Sequence, residues 1–394
     1  MSSPSTRTDD HSARALTVAA CASFVPMGIT TVLLGPMLPA LSDRWSLNYS
    51  QAGALFMVQY VASTVSVALS GVLAARCGFR FAIKIGLVLM AVGLAPLLTG
   101  PIWLGIVCIA IYGVGLGFAN PTANLLVAEA NPQRRSAMLN LLNFFWSTGA
   151  VACPFLVAAA ARRHQLPLLL WIVAGLSLAV AIAIAAMPRH IAEPAAHGDS
   201  VDILPSIRNR MRPFLLFGGL FFLYVGAENG FGQWIASYSK SLGSLSLAIA
   251  LMTPSFFYAA ILAGRWIATW LLRTAVSDVA LARLGLLLAC GGMAGLIFSR
   301  GLPGIALSAC AAGFGLSSVY PITISLLSHE FGSPRLGSFM FTLSSIGGGL
   351  FPWLVGISST QFNTLKAGLV VPLLICATMF ALYMIPMTHT DPRS

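Results

Sequence analysis

The chain has 394 residues, of which 57% are hydrophobic and only 8% charged, and its mean hydropathy is +0.86. A soluble domain carries about 25% charged residues, so a water-soluble fold is excluded. The formal charge of +11 comes from 22 basic and 11 acidic residues. The basic ones stand in short gaps between apolar stretches, where they orient a protein in a lipid bilayer rather than form a nucleic-acid face.

A segment needs ~20 apolar residues to cross the hydrocarbon layer, and only helices or closed barrels satisfy their backbone there. The long uncharged stretches therefore predict an all-α membrane protein. In chain order the first six spans are expected at 14–41, 48–75, 79–98, 102–130, 134–161 and 166–187. Pro188 to Arg212 is the one long polar segment inside the chain, with Arg189, Glu193, Asp199, Asp202, Arg208 and Arg210. It reads as a cytoplasmic linker. Six more spans are expected at 213–240, 245–272, 277–299, 302–328, 335–361 and 365–387. The domains so defined are an N-terminal six-helix bundle over 1–187, the linker over 188–212 and a C-terminal six-helix bundle over 213–394.

The run Val18-Ala19-Ala20-Cys21 resembles a lipoprotein processing site, but the apolar stretch continues well past Cys21. A first membrane helix without a cleaved signal is the expectation. With the N-terminus inside, only Arg44, Arg162, Arg163, Lys240, Arg300 and Lys366 of the 22 basic residues fall on the outer side. That asymmetry places both termini in the cytoplasm and the protein in the inner (plasma) membrane. The seven cysteines lie in or beside apolar segments and none is spaced as CxxC, so no disulfide framework, metal site or cofactor is expected.

The second half repeats the first. Gly149-Ala-Val-Ala-Cys-Pro154-Phe-Leu-Val aligns with Gly347-Gly-Gly-Leu-Phe-Pro352-Trp-Leu-Val at an offset of 198, and Pro121 answers to Pro321. Six spans separate the copies, so both run in the same membrane direction. Such a parallel repeat predicts the major facilitator architecture, with the substrate site between the halves near mid-membrane.

Particular residues carry the same resemblance. Gly71-Val-Leu-Ala-Ala75-Arg76-Cys77-Gly78-Phe79-Arg80 resembles the major facilitator signature loop, with Ala75 where the family usually has an acid. Ala119-Asn120-Pro121-Thr-Ala-Asn124 and Leu139-Asn140-Leu-Leu-Asn143 resemble the fucose-permease branch, whose members mostly carry sugars with protons or sodium. The resemblance implies twelve transmembrane helices, a secondary transporter of a small polar solute such as a sugar, and symport or uniport by alternating access. A proton or sodium ion is the implied partner. The branch's usual coupling acids lie in the first and fourth spans, but here the first span holds none and the fourth only Glu129 at its end.

One carboxylate stands within the membrane proper, Glu228, about 16 residues into the seventh span and ~24 Å along it. An ionised, unpaired carboxylate at that depth costs several kcal/mol, so Glu228 lines a wet cavity, holds a proton or is paired. It is the candidate for proton coupling; the alternative is a packing role, through a helix-pinning hydrogen bond or a pair with Arg265. Arg76, Arg80 and Arg265 are candidate gating residues. The candidate substrate contacts are Asn120, Asn124, Asn143, Trp146, Asn229, Gln233, Trp234, Gln59 and Tyr60. Amides both donate and accept, and aromatic rings offer apolar faces, a combination that suits a neutral polyhydroxy ligand. Polar and small side chains also glue membrane helices, the alternative role for each.

No phosphate-binding loop, dinucleotide fingerprint, nucleophile elbow or metalloprotease motif occurs, so an enzyme and ATP-driven transport are disfavoured. An efflux antiporter for lipophilic compounds is the nearest rival, since Gly149 and Pro154 keep part of the antiporter pattern in the fifth span. A lipid-handling membrane protein is a third reading. A monomer is expected.

Overall fold

A computed structural model of the chain describes residues 4–187, 211–271, 277–331 and 334–385. The expected linker, apart from Met211 and Arg212, lies outside the described residues. All described regular structure is helical. The first six helices are α1 (Pro4–Trp45), α2 (Tyr49–Cys77), α3 (Phe79–Leu94), α4 (Ile102–Ala130), α5 (Arg135–Arg162) and α6 (Leu166–Ala185). The next six are α7 to α12. Of these, α7 runs Met211–Gly232 and resumes as Ile235–Ser241; α8 is Leu247–Met252 followed by Pro254–Leu271; α9 is Asp278–Phe298. In turn α10 is Leu302–Ser317 followed by Val319–Phe331, α11 is Pro334–Gln361 and α12 is Leu365–Met384. These are twelve transmembrane helices, with starts and ends within a few residues of those expected, apart from the longer α1.

Among the described residues, ten helical stretches are long and apolar enough to cross a membrane by length and composition alone. The 16 residues of α3 reach only ~24 Å. Three breaks were not expected. Pro254 opens the longer piece of α8 just after Thr253, and its missing N–H and fixed φ suit a first helical position. Pro321 lies three residues beyond the break of α10 at Ser318, and Gln233 and Trp234 interrupt α7. Ser246 and Ser277 cap α8 and α9, their hydroxyls accepting from the amides of Ile249 and Ala280. Lone hydroxyls inside the membrane helices return to the carbonyl one turn back, as Thr30 does to Pro26 at 2.8 Å and Ser359 to Val355 at 2.7 Å.

The described residues fall into two compact units. One is drawn from Met1–Leu33, Val61–Leu156 and Ala160–Ser200; the other from Leu34–Tyr60, Val157–Ala159 and Val201–Ser394. The end of α1 and the start of α2 thus pack with α7 to α12. Within this second unit Asp43 pairs with Lys240 at 2.7 Å, the Ser50 amide donates to the Thr360 hydroxyl at 2.8 Å, and Gly53 lies against Trp353 and Gly356.

Inside each unit the duplication appears as matching helix crossings. In the first unit Gly86 of α3 and Gly115 of α4 face each other, and a methyl group at Gly86 would stand 2.7 Å from the Gly115 carbonyl oxygen. In the second, Gly285 of α9 and Gly315 of α10 do the same, at 2.5 Å. Gly149 brings α5 onto the Val25 carbonyl of α1, and Gly347 brings α11 onto the Phe222 carbonyl of α7. Apolar helices gain no hydrophobic energy by leaving lipid for one another. Close backbone approach at small residues supplies the contact instead.

Candidate functional site

The helical spacing of α7 stacks Tyr224, Glu228 and Val225, Asn229, Gln233 at one-turn intervals. Glu228 and Asn229 keep part of their surface accessible, whereas Gln233 is buried. Around Glu228 the fold gathers one cation and three phenols. Arg265 from α8 acts on it electrostatically, as do Tyr224 one turn earlier, Tyr320 from α10 and Tyr60 from α2. The rings of Tyr224 and Tyr320 lie 5.2 Å apart, and Phe221 closes on Tyr320 edge-on at 5.6 Å. A carboxylate and a guanidinium placed together solve each other's desolvation problem, while either alone at this depth would be costly.

Next to this pair stands a polar bracket. The Tyr60 hydroxyl donates to Asn229 Oδ1 at 2.6 Å, and Gln233 Nε2 reaches the same oxygen at 3.4 Å. Asn229 Nδ2 in turn donates to the Val225 carbonyl at 2.9 Å, which fixes which way the amide faces. Tyr60 comes this close because α11 presents Gly348 and Gly349 to it; a methyl group at Gly349 would meet Tyr60 Cβ at 2.8 Å. Glu228, Arg265, Asn229, Gln233 and Tyr60 are thereby brought together within the second unit.

Trp234, expected as a ligand contact, is enclosed, with 0% of its surface exposed. Its indole N–H donates to the Pro352 carbonyl at 2.9 Å, and its ring packs against Tyr49 at 6.3 Å and Phe56 at 6.1 Å. Burial of the ring with a satisfied N–H makes it a packing anchor of α2, α7 and α11. Gln59 is likewise buried, at 2% exposure.

In the first unit, Asn120 and Asn124 remain half-buried and are joined, Asn124 Nδ2 donating to Asn120 Oδ1 at 2.9 Å and to its carbonyl at 3.0 Å. Asn143 is exposed on α5 and donates back to the Leu139 carbonyl at 2.9 Å. Trp146 is half-buried, its carbonyl covered by Gly28 of α1. Of the candidate gating residues, Arg265 belongs to the Glu228 cluster. Arg76 is exposed at the end of α2, and Arg80 donates to the Met187 carbonyl at 3.4 Å. Among the described residues no cluster could hold a metal ion.

Tyr224, Tyr320 and the Gly348-Gly349 seat were missed from the sequence. The first carried a signal, since a tyrosine four residues before a membrane carboxylate shares its helix face. Tyr320 reaches Glu228 only through the packing of α10 on α7, which no local spacing encodes.

Known proteins agree with this architecture. The glucose/galactose transporter of Brucella abortus biovar 1 (strain 9-941) is 25% identical over 386 residues, covering 91% of each chain. Sodium-dependent glucose transporter 1A of Mus musculus is 21% identical over 420 residues, covering 95% of this chain and 98% of its own. In fold the chain is similar to the E. coli fucose:proton symporter FucP, with a TM-score of 0.65 at 22% identity over 93% of this chain and 97% of that one. A D-xylose-proton symporter gives a TM-score of 0.73 at 17% identity, over 93% and 96%. The family model of the Major Facilitator Superfamily matches residues 18–352, most of the chain, and this multi-pass membrane protein therefore belongs to that superfamily of transporters.

Proposed function

We propose that the protein carries a sugar or closely similar polyol across the inner membrane by alternating access, in symport with a proton that binds Glu228. The observation that carries this reading is the bracket of Tyr60, Asn229 and Gln233 beside the Glu228–Arg265 pair. An amide held in one orientation between a phenol and a second amide offers the directional donors and acceptors that hydroxyl groups require. The pair adds no net charge when both members are ionised, which suits a neutral ligand. The names of the relatives, a glucose/galactose transporter and a sodium-dependent glucose transporter, point to the same substrate class.

In this account the proton and Arg265 compete for one carboxylate. Protonation of Glu228 frees the guanidinium, loosens the electrostatic tie among α7, α8 and α10, and so links ion binding to the packing of these helices. Both termini lie in the cytoplasm and the working unit is the monomer. Asn120, Asn124, Asn143 and Trp146 are the candidate ligand contacts of the first unit.

The reading is tested by thermal unfolding of the purified protein against hexoses, pentoses, organic acids and lipophilic drugs, because a ligand bound only by the folded state raises its stability. Sugars should stabilise the wild type, and the effect should fall at least tenfold in apparent affinity in Asn229→Ala. Stabilisation by drugs alone would overturn the proposal in favour of efflux.

A further inference from the structure

A groove of about 280 Å³ runs between α3 and α6 in the first unit, walled by Phe81, Ile85, Val88, Leu178 and Ile182, with Lys84 as its one charged residue. Its walls are open to the surroundings, Phe81 being 43% and Ile182 60% exposed. Lys84 lies five residues after the start of α3, ~7 Å along the helix. Its ammonium stands 5.9 Å above the Phe81 ring and makes no ion pair or hydrogen bond with any described residue. Close by, Arg80 one turn earlier donates to the Met187 carbonyl just beyond the end of α6, which puts this end of the groove at a membrane surface. The site is thus an apolar groove of acyl-chain character, inside a bilayer, ending near headgroup level at a cation that no described residue neutralises.

We propose that this groove binds an anionic phospholipid, one acyl chain lying between α3 and α6 and the phosphodiester on Lys84. The apolar walls cannot be hydrated at membrane depth, so hydrocarbon fills them. The short α3 leaves its first turns close to the headgroups, where a lysine stem can lie along the groove and its ammonium reach phosphate. A zwitterionic lipid fits the same channel but brings its own cation to the phosphate. Lys84 therefore selects for net negative charge.

The test uses the full-length protein purified in mixed micelles with phosphatidylglycerol or phosphatidylcholine, with retained lipid counted by native mass spectrometry and unfolding followed in parallel. The wild type should retain phosphatidylglycerol about fivefold better, the selectivity one basic group near a membrane surface confers. Lys84→Gln should lose that preference and Lys84→Arg keep it. Ala185→Trp, which fills the exposed edge of the groove, should reduce retention of both lipids while the protein elutes as a folded particle. Glycerophosphate alone should leave the unfolding temperature unchanged. Equal retention of the two lipids by the wild type, an unaltered preference in Lys84→Gln, or stabilisation by glycerophosphate would each overturn the proposal.

Discussion

Glu228 and Arg265 are two charges that neither lipid nor a dry core would accept singly, and their chemistry follows from being together. Removing one partner of this part-buried pair leaves a charge uncompensated at membrane depth, at a cost of up to about 3 kcal/mol, the low end for a buried pair, whereas removing both is far milder. Arg265→Met is accordingly expected to lower resistance to chemical denaturation sharply. Adding Glu228→Gln to it should restore much of the loss. A double variant no more stable than Arg265→Met would show that the two side chains do not interact. Tyr60→Phe deletes one hydrogen bond to Asn229 and keeps the ring in its glycine seat. With a typical net value of ~1 kcal/mol per bond, the apparent affinity for sugar should fall about fivefold with folding intact, measured by ligand-dependent unfolding. Much of this site was legible in the sequence. A lone intramembrane acid announces itself, and Asn229 and Gln233, four apart, share a face beside it by spacing. The roles of Trp234 and Tyr320 were not legible, because burial of one and the approach of the other depend on how α2, α10 and α11 pack on α7.

Among the helices, stability rests on backbone contacts at small residues more than on any apolar stripe. Gly149 and Gly347 occupy equivalent places in the repeat and each lies on a carbonyl of the neighbouring helix, Val25 of α1 or Phe222 of α7. Gly175 of α6 has nothing within 4 Å of the position a methyl group would take. Alanine at Gly149 or Gly347 must push helices apart and should cost about 1–3 kcal/mol each, comparably in the two units. Alanine at Gly175 should be neutral or favourable by up to ~1 kcal/mol through helix propensity. Denaturation curves of the three variants read the difference directly. Helix positions were legible because uncharged length is a strong signal and charges or Gly-Pro pairs mark the ends. The interruptions of α7, α8 and α10 were not, since hydropathy is blind to a break of one or two residues inside a continuous apolar run.

For the molecule as a whole, composition excluded water as the solvent, the offset of 198 exposed the duplication, and membership of the Major Facilitator Superfamily makes the chain a transporter. The central proposal is that solute movement is driven by a proton acting at Glu228. The most direct measurement is uptake of radiolabelled sugar into proteoliposomes under an imposed inward proton gradient, for the wild type and Glu228→Gln, with sugar exchange at equal pH measured alongside. The wild type should accumulate sugar above equilibrium, and the variant should lose accumulation while still exchanging it. Gradient-driven accumulation by Glu228→Gln at the wild-type level would contradict the proposal.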